Sequence, residues 1–376
     1  MSLTALAIDA MLPALNQIQL ALNIQDPNNV QLVISSVFFG MSFGLMLFGP
    51  LSDAYGRKNP LYVGLVIFIL GSVLSLLSTG LEAMLLGRFF QGFGASSARV
   101  ITVSMIRDCF KGDEMGKIMS LIMTIFVIVP AIAPSLGQVI LYISTWQSIF
   151  GLLILFGIVG LVALKFNQEE TLAVEDRIPF SLKNLTAGIM ETLKNPIARG
   201  YTLASGFVFG AFVTYLSLSQ PILQVQYDLG EKFSFYFGGL VIFIGLSSFI
   251  NAKLVLKYGM VLLTKFSLLA LSIVSGLFLI ILLMFDGIVS LPLFLTFLGM
   301  SFIFIGVLFG NLNSLAVEPL GHIAGIANSV ISAVQTLISV LIAAIVGQMY
   351  TGNLYPLVIA FFGLSLLSLI TVRTAR

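Results

Sequence analysis

Three charged side chains, Asp9, Arg88 and Arg99, interrupt long apolar runs of this 376-residue chain. A charged residue at the centre of a bilayer costs about 2.5–3.5 kcal/mol on insertion scales, so each of the three needs an explanation. A carboxyl group whose surroundings alternate between dry protein and a nearby cation can bind a proton in one state and release it in the other. We therefore predict that Asp9 carries a proton and that Arg88 modulates its release. The alternative is that the two form a static structural pair.

The stretch around Arg88 also predicts a polar helix face. Spacings of three, four and four residues place these side chains on one side of a helix: Arg88, Gln91, Ala95 and Arg99. This face cannot point to lipid, so we expect it to line a cavity. At helical rise, Asp9 and Arg88 are offset by about 8 Å along the membrane normal, which long side chains or one water could bridge. Arg99 lies deeper, and it either lines the cavity and closes a gate or anchors the helix at the interface.

The second half of the chain has no acid inside an apolar run, so its substrate contacts should be neutral. The candidates are Tyr215, Gln220, Asn311, Asn328 and Gln335. Methionine and aromatic side chains would add adaptable apolar contacts around them.

The composition shows which solvent surrounds these residues. The chain is 58% hydrophobic and only 9% charged, whereas soluble domains carry about 25% charged residues. The apolar runs are about twenty residues long and do not alternate, which predicts membrane-spanning helices rather than a β-barrel. One cysteine and one histidine argue against a disulfide framework, a metal site or a histidine-based active site. We predict an all-α membrane protein that is not an enzyme and has no metal, cofactor or nucleic-acid partner.

Charged, proline and glycine breaks between the apolar runs predict twelve spans: 1–22, 29–52, 59–79, 82–110, 115–141, 146–167, 196–224, 232–256, 261–284, 289–313, 321–349 and 352–372. The polar stretch 168–195 divides them six and six. We therefore predict two six-helix bundles, 1–167 and 196–376, joined by a linker at 168–195 with an amphipathic piece around Ser181–Lys194. If the N-terminus is cytoplasmic, most Lys and Arg residues lie on the inner side and Lys232 alone lies in an outer loop. The positive-inside rule then places both termini in the cytoplasm.

The loop between the second and third spans carries a dense motif, GPLSDAYGRK, at 49–58. It resembles the cytoplasmic loop signature of the major facilitator superfamily, Gly-x-Leu-x-Asp-x-x-Gly-Arg-Lys. The matching residues are Gly49, Leu51, Asp53, Gly56, Arg57 and Lys58. The Asp53 carboxylate would be stabilised by the start of the eleventh span, where the helix dipole is positive, and by Arg57. We predict a latch that is closed in one conformation and open in another; a static loop salt bridge is the alternative.

Further stretches resemble one group of this superfamily. Segment 85–95 is similar to the Arg-x-x-Gln-Gly motif of proton-driven drug exporters, and segment 9–14 to the acid-x-x-Leu-Pro-Ala stretch of the bicyclomycin and chloramphenicol exporters, the Bcr/CflA group. The fifth span carries Pro130, Pro134 and Gly137 where antiporters have a related motif. This resemblance implies a role of the fifth span in alternating access and in preventing leak, although a plain packing kink is the alternative. The chain departs from the group at Met11, where tyrosine is usual.

The resemblance implies a protein of the bacterial inner membrane that works as a monomer in the lipid bilayer. It implies exchange of protons for amphipathic drugs of the bicyclomycin, chloramphenicol or sulfonamide kind, by rocking of two bundles around a central cavity. Within the same class, the alternatives are an exporter of an endogenous metabolite or peptide and a nutrient importer. A receptor or scaffold with a transporter fold is an alternative of another class.

Overall fold

The structure is a computed structural model that describes residues 2–375. Within helices it leaves undescribed the side chains at 112, 113, 116, 119, 120, 123, 124, 126, 127, 167 and 184. Met1, which opens the first predicted span, and Arg376, one of the basic residues predicted to be cytoplasmic, lie outside the described residues. Throughout 2–375 the chain forms helices and connecting turns without a β-strand.

Fourteen α-helices are described, and their bounds are α1 Ser2–Asp9, α2 Leu15–Ala21, α3 Leu32–Tyr55, α4 Lys58–Leu76, α5 Leu81–Cys109, α6 Gly112–Ile143, α7 Gln147–Asn167, α8 Leu182–Lys194, α9 Pro196–Ser219, α10 Phe233–Tyr258, α11 Met260–Met284, α12 Leu291–Val317, α13 Ala324–Gln348 and α14 Tyr355–Thr374.

Every predicted span overlaps a helix, and eight helical stretches of the described chain are long and apolar enough to cross a membrane. One of them, Leu291–Gln348, contains both α12 and α13. The chain is therefore a multi-pass α-helical membrane protein. The count of twelve spans stays a prediction, because α1 and α2 are short and α5 contains many glycine, serine and charged residues.

The first predicted span differs most from its prediction, because it is not one helix. Helix α1 ends at Asp9, a 3-10 turn follows at Leu12–Ala14, and α2 begins at Leu15. Proline has no backbone N–H, so Pro13 cannot donate to the carbonyl four residues earlier, that of Asp9. The helix is thus interrupted at the one acidic residue of the span.

The chain divides into two compact units, one ending at Ile189 and the other beginning at Met190. This division lies within the predicted linker. The helix pairs of the first unit recur in the second: α3 with α5 and α10 with α12, α4 with α5 and α11 with α12, α4 with α7 and α11 with α14, and α1 with α6 and α9 with α13. The repetition supports an internal duplication of one six-helix arrangement.

Close helix approaches in both units depend on glycine. A Cβ atom at Gly44 would overlap the Phe93 carbonyl and the Ser96 hydroxyl, and a Cβ at Gly306 would overlap the corresponding atoms of Ile244 and Ser247. Small residues let backbones come together in this way inside lipid.

The connection between the second and third helices of each repeat also recurs. We name residues Gly49–Lys58 the first joint and Asn251–Gly259 the second joint. Gly56 has φ 86° and ψ 164°, and Gly259 has φ 76° and ψ 154°. Essentially only glycine adopts this backbone region. The two joints therefore share one type of turn, and each makes it at a glycine.

Candidate functional site

Asp9 is buried, with 5% of its surface exposed, at the point where α1 ends. The interrupted segment after it is held by α6: a Cβ atom at Gly137 would overlap the Ala10 carbonyl and come within 3.2 Å of Pro13. Any larger residue at 137 would push the two segments apart. The structure thus brings the predicted antiporter motif of α6 against the break that carries Asp9.

Arg88 lies on α5 and is completely buried. Its Nε donates to the Val33 carbonyl at 3.2 Å, and its Nη1 donates to Gln91. The Gln91 amide in turn donates to Ser72 at 2.8 Å, and the guanidinium lies 5.8 Å from the Phe150 ring centroid. Among the described residues, the buried Nη2 atom of Arg88 has no hydrogen-bond partner.

The structure does not join Asp9 to Arg88. Within residues 2–375 no salt bridge connects them. The reason is the close packing of α3 on α5, where Cβ atoms at Gly40 and Gly92 would overlap the facing backbone. This packing puts the Val33 carbonyl within reach of Arg88, so the guanidinium turns to α3.

The other residues of the predicted α5 face are buried or half-buried in the first unit. The Ala95 carbonyl accepts a hydrogen bond from the Thr4 hydroxyl of α1 at 3.4 Å, and Arg99 is half-buried. Helix α6 continues through Pro130 and Pro134; Pro134 is buried and Pro130 half-buried.

In the second unit, Tyr215 and Gln220 are five residues apart at the end of α9 and are both buried. The Tyr215 ring stacks on Phe237 with centroids 5.8 Å apart and meets Phe302 edge-on at 4.9 Å. Gln220 begins a π-helical segment, Gln220–Gln226. Such segments occur frequently at functional sites, and the sequence did not predict this one.

The other three neutral candidates do not join them in one hydrogen-bonded network of described residues. Asn311 is buried, and both ends of its amide are used in a reciprocal pair with Asn251, at 2.9 and 3.1 Å. Asn328 is exposed and accepts from Asn313 at 3.2 Å. Gln335 is half-buried. The pairing of Asn311 favours a role in holding α10 to α12 rather than the predicted substrate contact.

The first joint has the densest ionic contacts of the described chain. Arg57, with a side chain only 6% exposed, pairs with Asp53 and, through Nε at 2.8 Å, with Asp108 at the end of α5. Its Nη1 also donates to the Ser52 hydroxyl at 3.0 Å, and that hydroxyl donates to the Gly49 carbonyl at 2.8 Å. Burial alone would lower the pKa of Arg57, but the hydrogen bonds and charges of Asp108 and Asp53 outweigh it and raise the pKa.

Glu170, in the predicted linker, is a member of this cluster that sequence reasoning missed. Its carboxylate accepts the backbone N–H groups of Arg57 at 2.8 Å and Lys58 at 3.1 Å. The pairing of Asp108 with Arg57 was likewise not predicted from the sequence. The sequence did carry a signal that these residues could meet, because the loops that contain them were all predicted on the cytoplasmic side.

The described residues offer no group of three or more His, Cys, Asp or Glu side chains that could hold a metal ion.

Comparison with known proteins identifies the family. The profile of the Major Facilitator Superfamily matches residues 1–344. The chain belongs to this superfamily, whose members are transporters rather than enzymes.

Curated relatives of this superfamily match nearly the whole chain. An "Uncharacterized MFS-type transporter YdgK" of Bacillus subtilis is 32% identical over 91% of this chain and 85% of its own length. A "Bicyclomycin resistance protein homolog" of Haemophilus influenzae is 27% identical over 93% and 87%. A "Multidrug resistance protein MdtL" of Klebsiella pneumoniae is 30% identical over 92% and 87%. These relatives confirm the resemblance to the bicyclomycin-resistance group of drug exporters.

Solved structures of the superfamily share the fold. A crystal structure of a D-xylose-proton symporter matches with a TM-score of 0.73 at 12% identity, covering 100% of this chain and 94% of that one. At this level of identity, the similarity describes the architecture alone.

Proposed function

We propose that this protein exports amphipathic drugs from a bacterial cell in exchange for protons, by alternating access in the inner membrane with both termini in the cytoplasm. The drug class is bicyclomycin-like, chloramphenicol-like or sulfonamide-like compounds. The names of the Haemophilus and Klebsiella relatives support export of such compounds.

The burial of Asp9 carries the proton-coupling part of the proposal. The carboxyl group lies at an interrupted helix, and among the described residues it is in no salt bridge. Transporters bind coupling ions and protons at such helix breaks near the bilayer midplane. Arg88 is the candidate modulator, and its unpartnered Nη2 leaves it able to donate a further hydrogen bond.

These placements support the following transport cycle. Asp9 takes up a proton when its surroundings open to the outside and releases it when they open to the cytoplasm. Drug enters from the cytoplasm or the inner leaflet and contacts neutral groups of the second unit, with Tyr215 and Gln220 as the foremost candidates. The first joint, with Asp53 and Arg57, acts as a latch that favours one of the two states.

The test is proton release from purified, detergent-solubilised protein on addition of chloramphenicol, a sulfonamide or a bicyclomycin-like compound. We expect release by the wild type and none by Asp9→Asn, because the amide cannot bind an exchangeable proton at that site. Asp286→Asn is a matched control: Asp286 is exposed with φ 49°, a conformation that asparagine accepts. Fluorescence of Trp146, the single tryptophan, checks folding of the first unit.

The outcomes separate the competing interpretations. Release that persists in Asp9→Asn would keep the antiporter but move the coupling carboxyl to another residue. No release by folded wild type with any of the compounds would overturn drug export and favour a metabolite or nutrient substrate.

A further inference from the structure

The helix that follows the first joint lacks a cap of its own. Helix α4 begins at Lys58, no side chain near its start caps it, and no acidic residue lies in its first turn. Helix N-termini expose backbone N–H groups that need acceptors and carry partial positive charge. Arg57, at the N-cap position, cannot serve, because its side chain is a donor only.

Glu170, 113 positions from Arg57 in sequence, supplies the acceptor. One carboxylate oxygen accepts from Arg57 N–H at 2.8 Å and the other from Lys58 N–H at 3.1 Å. Leu172 N–H also donates to this carboxylate at 3.1 Å, which fixes the side chain relative to its own backbone. A carboxylate that accepts several N–H groups at a helix N-terminus forms strong, charge-assisted hydrogen bonds.

The residues that follow Glu170 are held to the same joint at further points. We name Glu170–Ile178 the strap. The Thr171 hydroxyl donates to Asp108 at 3.1 Å, and Ile178 N–H donates to the Asp53 carbonyl at 3.0 Å. The strap therefore contacts both acids that pair with Arg57.

Gly56 shows how tightly the strap fits. A Cβ atom at Gly56 would lie 2.5 Å from the Glu170 carboxylate and 3.0 Å from the Arg177 guanidinium. A Cβ at Gly259 of the second joint would have nothing within 4 Å. The crowding at Gly56 is thus a feature of the strap and not of the turn.

We propose that Glu170 is a positioning residue of the latch. It fixes the start of α4 so that the Arg57 guanidinium reaches Asp53, Ser52 and Asp108 together. Because the strap is the part of the chain that leads toward the second unit, movement of the linker withdraws Glu170 and weakens the latch. The consequence for transport rests on the proposed function, whereas the contact itself does not.

The experiment is hydrogen–deuterium exchange of the full-length protein in detergent, comparing wild type with Glu170→Gln. Glutamine keeps the size of the side chain but loses the charge and one acceptor oxygen. We expect amide exchange in peptides covering residues 53–60 to become about tenfold faster, because the amide groups lose a charged hydrogen-bond acceptor. Exchange at residues 255–262, which include the turn of the second joint, should not change and serves as an internal control.

Glu169→Gln is the matched control variant, since Glu169 is exposed like Glu170 but, among the described residues, its carboxylate does not accept the N–H groups of the joint. Unchanged exchange in Glu170→Gln, or an equal increase in Glu169→Gln, would overturn the proposal. Thr171→Val provides a second variant if Glu170→Gln does not fold. It removes only the hydroxyl bond to Asp108, and we expect faster exchange at the end of α5; exchange at the wild-type rate would contradict the strap.

A transport measurement separates positioning from a merely structural role. In drug-driven proton exchange we expect Glu170→Gln to lower the maximal turnover several-fold and to leave KM unchanged, because the residue touches the latch and no substrate group. A changed KM with unchanged turnover would contradict this role. If wild type shows no exchange with drugs, the proposed function fails, while the hydrogen-exchange result still decides whether Glu170 holds the joint.

Discussion

The first and second joints have nearly the same backbone turn but different chemistry. Gly56 and Gly259 adopt similar positive-φ conformations. Around Gly56, however, Arg57 is enclosed by acidic partners. The second joint has no acid; its Lys253 and Lys257 lie over aromatic rings of Phe249 and Tyr258, at 5.4 and 5.1 Å.

This difference distinguishes the feature that the fold requires, the glycine turn, from the feature that we assign to the proposed latch, the ion pairs of Arg57. Both units require a glycine to turn sharply between two helices, so the turn persists in both. Among the described residues, salt bridges occur at the first joint and not at the second, so this pairing serves a task that the turn alone does not. The retained basic residues of the second joint are explained by the positive-inside rule and by weak contacts with aromatic rings.

The largest expected contrast comes from replacing the two glycines by alanine. Gly259→Ala should destabilise the protein by about 1–3 kcal/mol through backbone strain alone. Gly56→Ala should cost more, because its Cβ also displaces the Glu170 carboxylate. Thermal unfolding followed by circular dichroism measures both. Equal losses of stability in the two variants would show that the strap can shift without a free-energy cost when a Cβ atom is added at position 56.

A smaller contrast is expected between the cationic residues. Arg57→Ala leaves Asp53 and Asp108, whose side chains are 35% and 18% exposed, without their partner. We expect a loss of about 1–3 kcal/mol, below the value for fully buried pairs because water screens these carboxylates. Lys253→Ala should cost less than about 1 kcal/mol, the range of an exposed cation–π contact.

Denaturation midpoints together with turnover test the cationic pair. Arg57→Lys adds a sharper control, since an ammonium keeps the charge but cannot bridge two carboxylates as a guanidinium does. A Lys253→Ala variant as impaired as Arg57→Ala would show that the second joint has a latch function that its contacts do not reveal.

The smallest expected effect is a pH dependence confined to the first joint. Burial would raise the pKa of Glu170, but the N–H groups of Arg57, Leu172 and Lys58 and the charge of Arg177 lower it from its ordinary value of 4.5. The stability that ionised Glu170 contributes is therefore complete above pH 4.5 and is lost as the pH falls through the lowered pKa.

Unfolding temperatures from pH 8 to 3 measure this dependence. The difference between wild type and Glu170→Gln should stay constant at neutral pH and shrink below about pH 4.5. The difference in unfolding temperature between wild type and Gly259→Ala should not change over this pH range, because the second joint has no acid. A wild-type advantage that increases toward acid would contradict the assigned direction of the pKa.

Much of the fold was predictable because its signals are local. Apolar run length identified the membrane helices, the glycine of each joint marked the turn, and the interruption at Pro13 could have been read from its missing N–H. The pair Arg57–Asp53 was also predictable, since the two opposite charges lie four residues apart in one short motif.

The partners of the central charges were not predictable in the same way. Nothing in the sequence indicated that Arg88 Nε would bond to the Val33 carbonyl, 55 positions away. Asn311 was expected to meet substrate but pairs with Asn251, 60 positions away. Which helix comes within hydrogen-bond distance depends on glycine-mediated packing, and periodicity carries no information about it.

The sequence by itself determined the class of this protein, its family, its buried charges and the place of the first joint, because hydropathy and short motifs act over a few turns of helix. The tertiary structure alone decided that the break after Asp9 packs against Gly137, and that Glu170 completes the first joint. Both depend on segments that are far apart in the chain and meet only after the helices have packed.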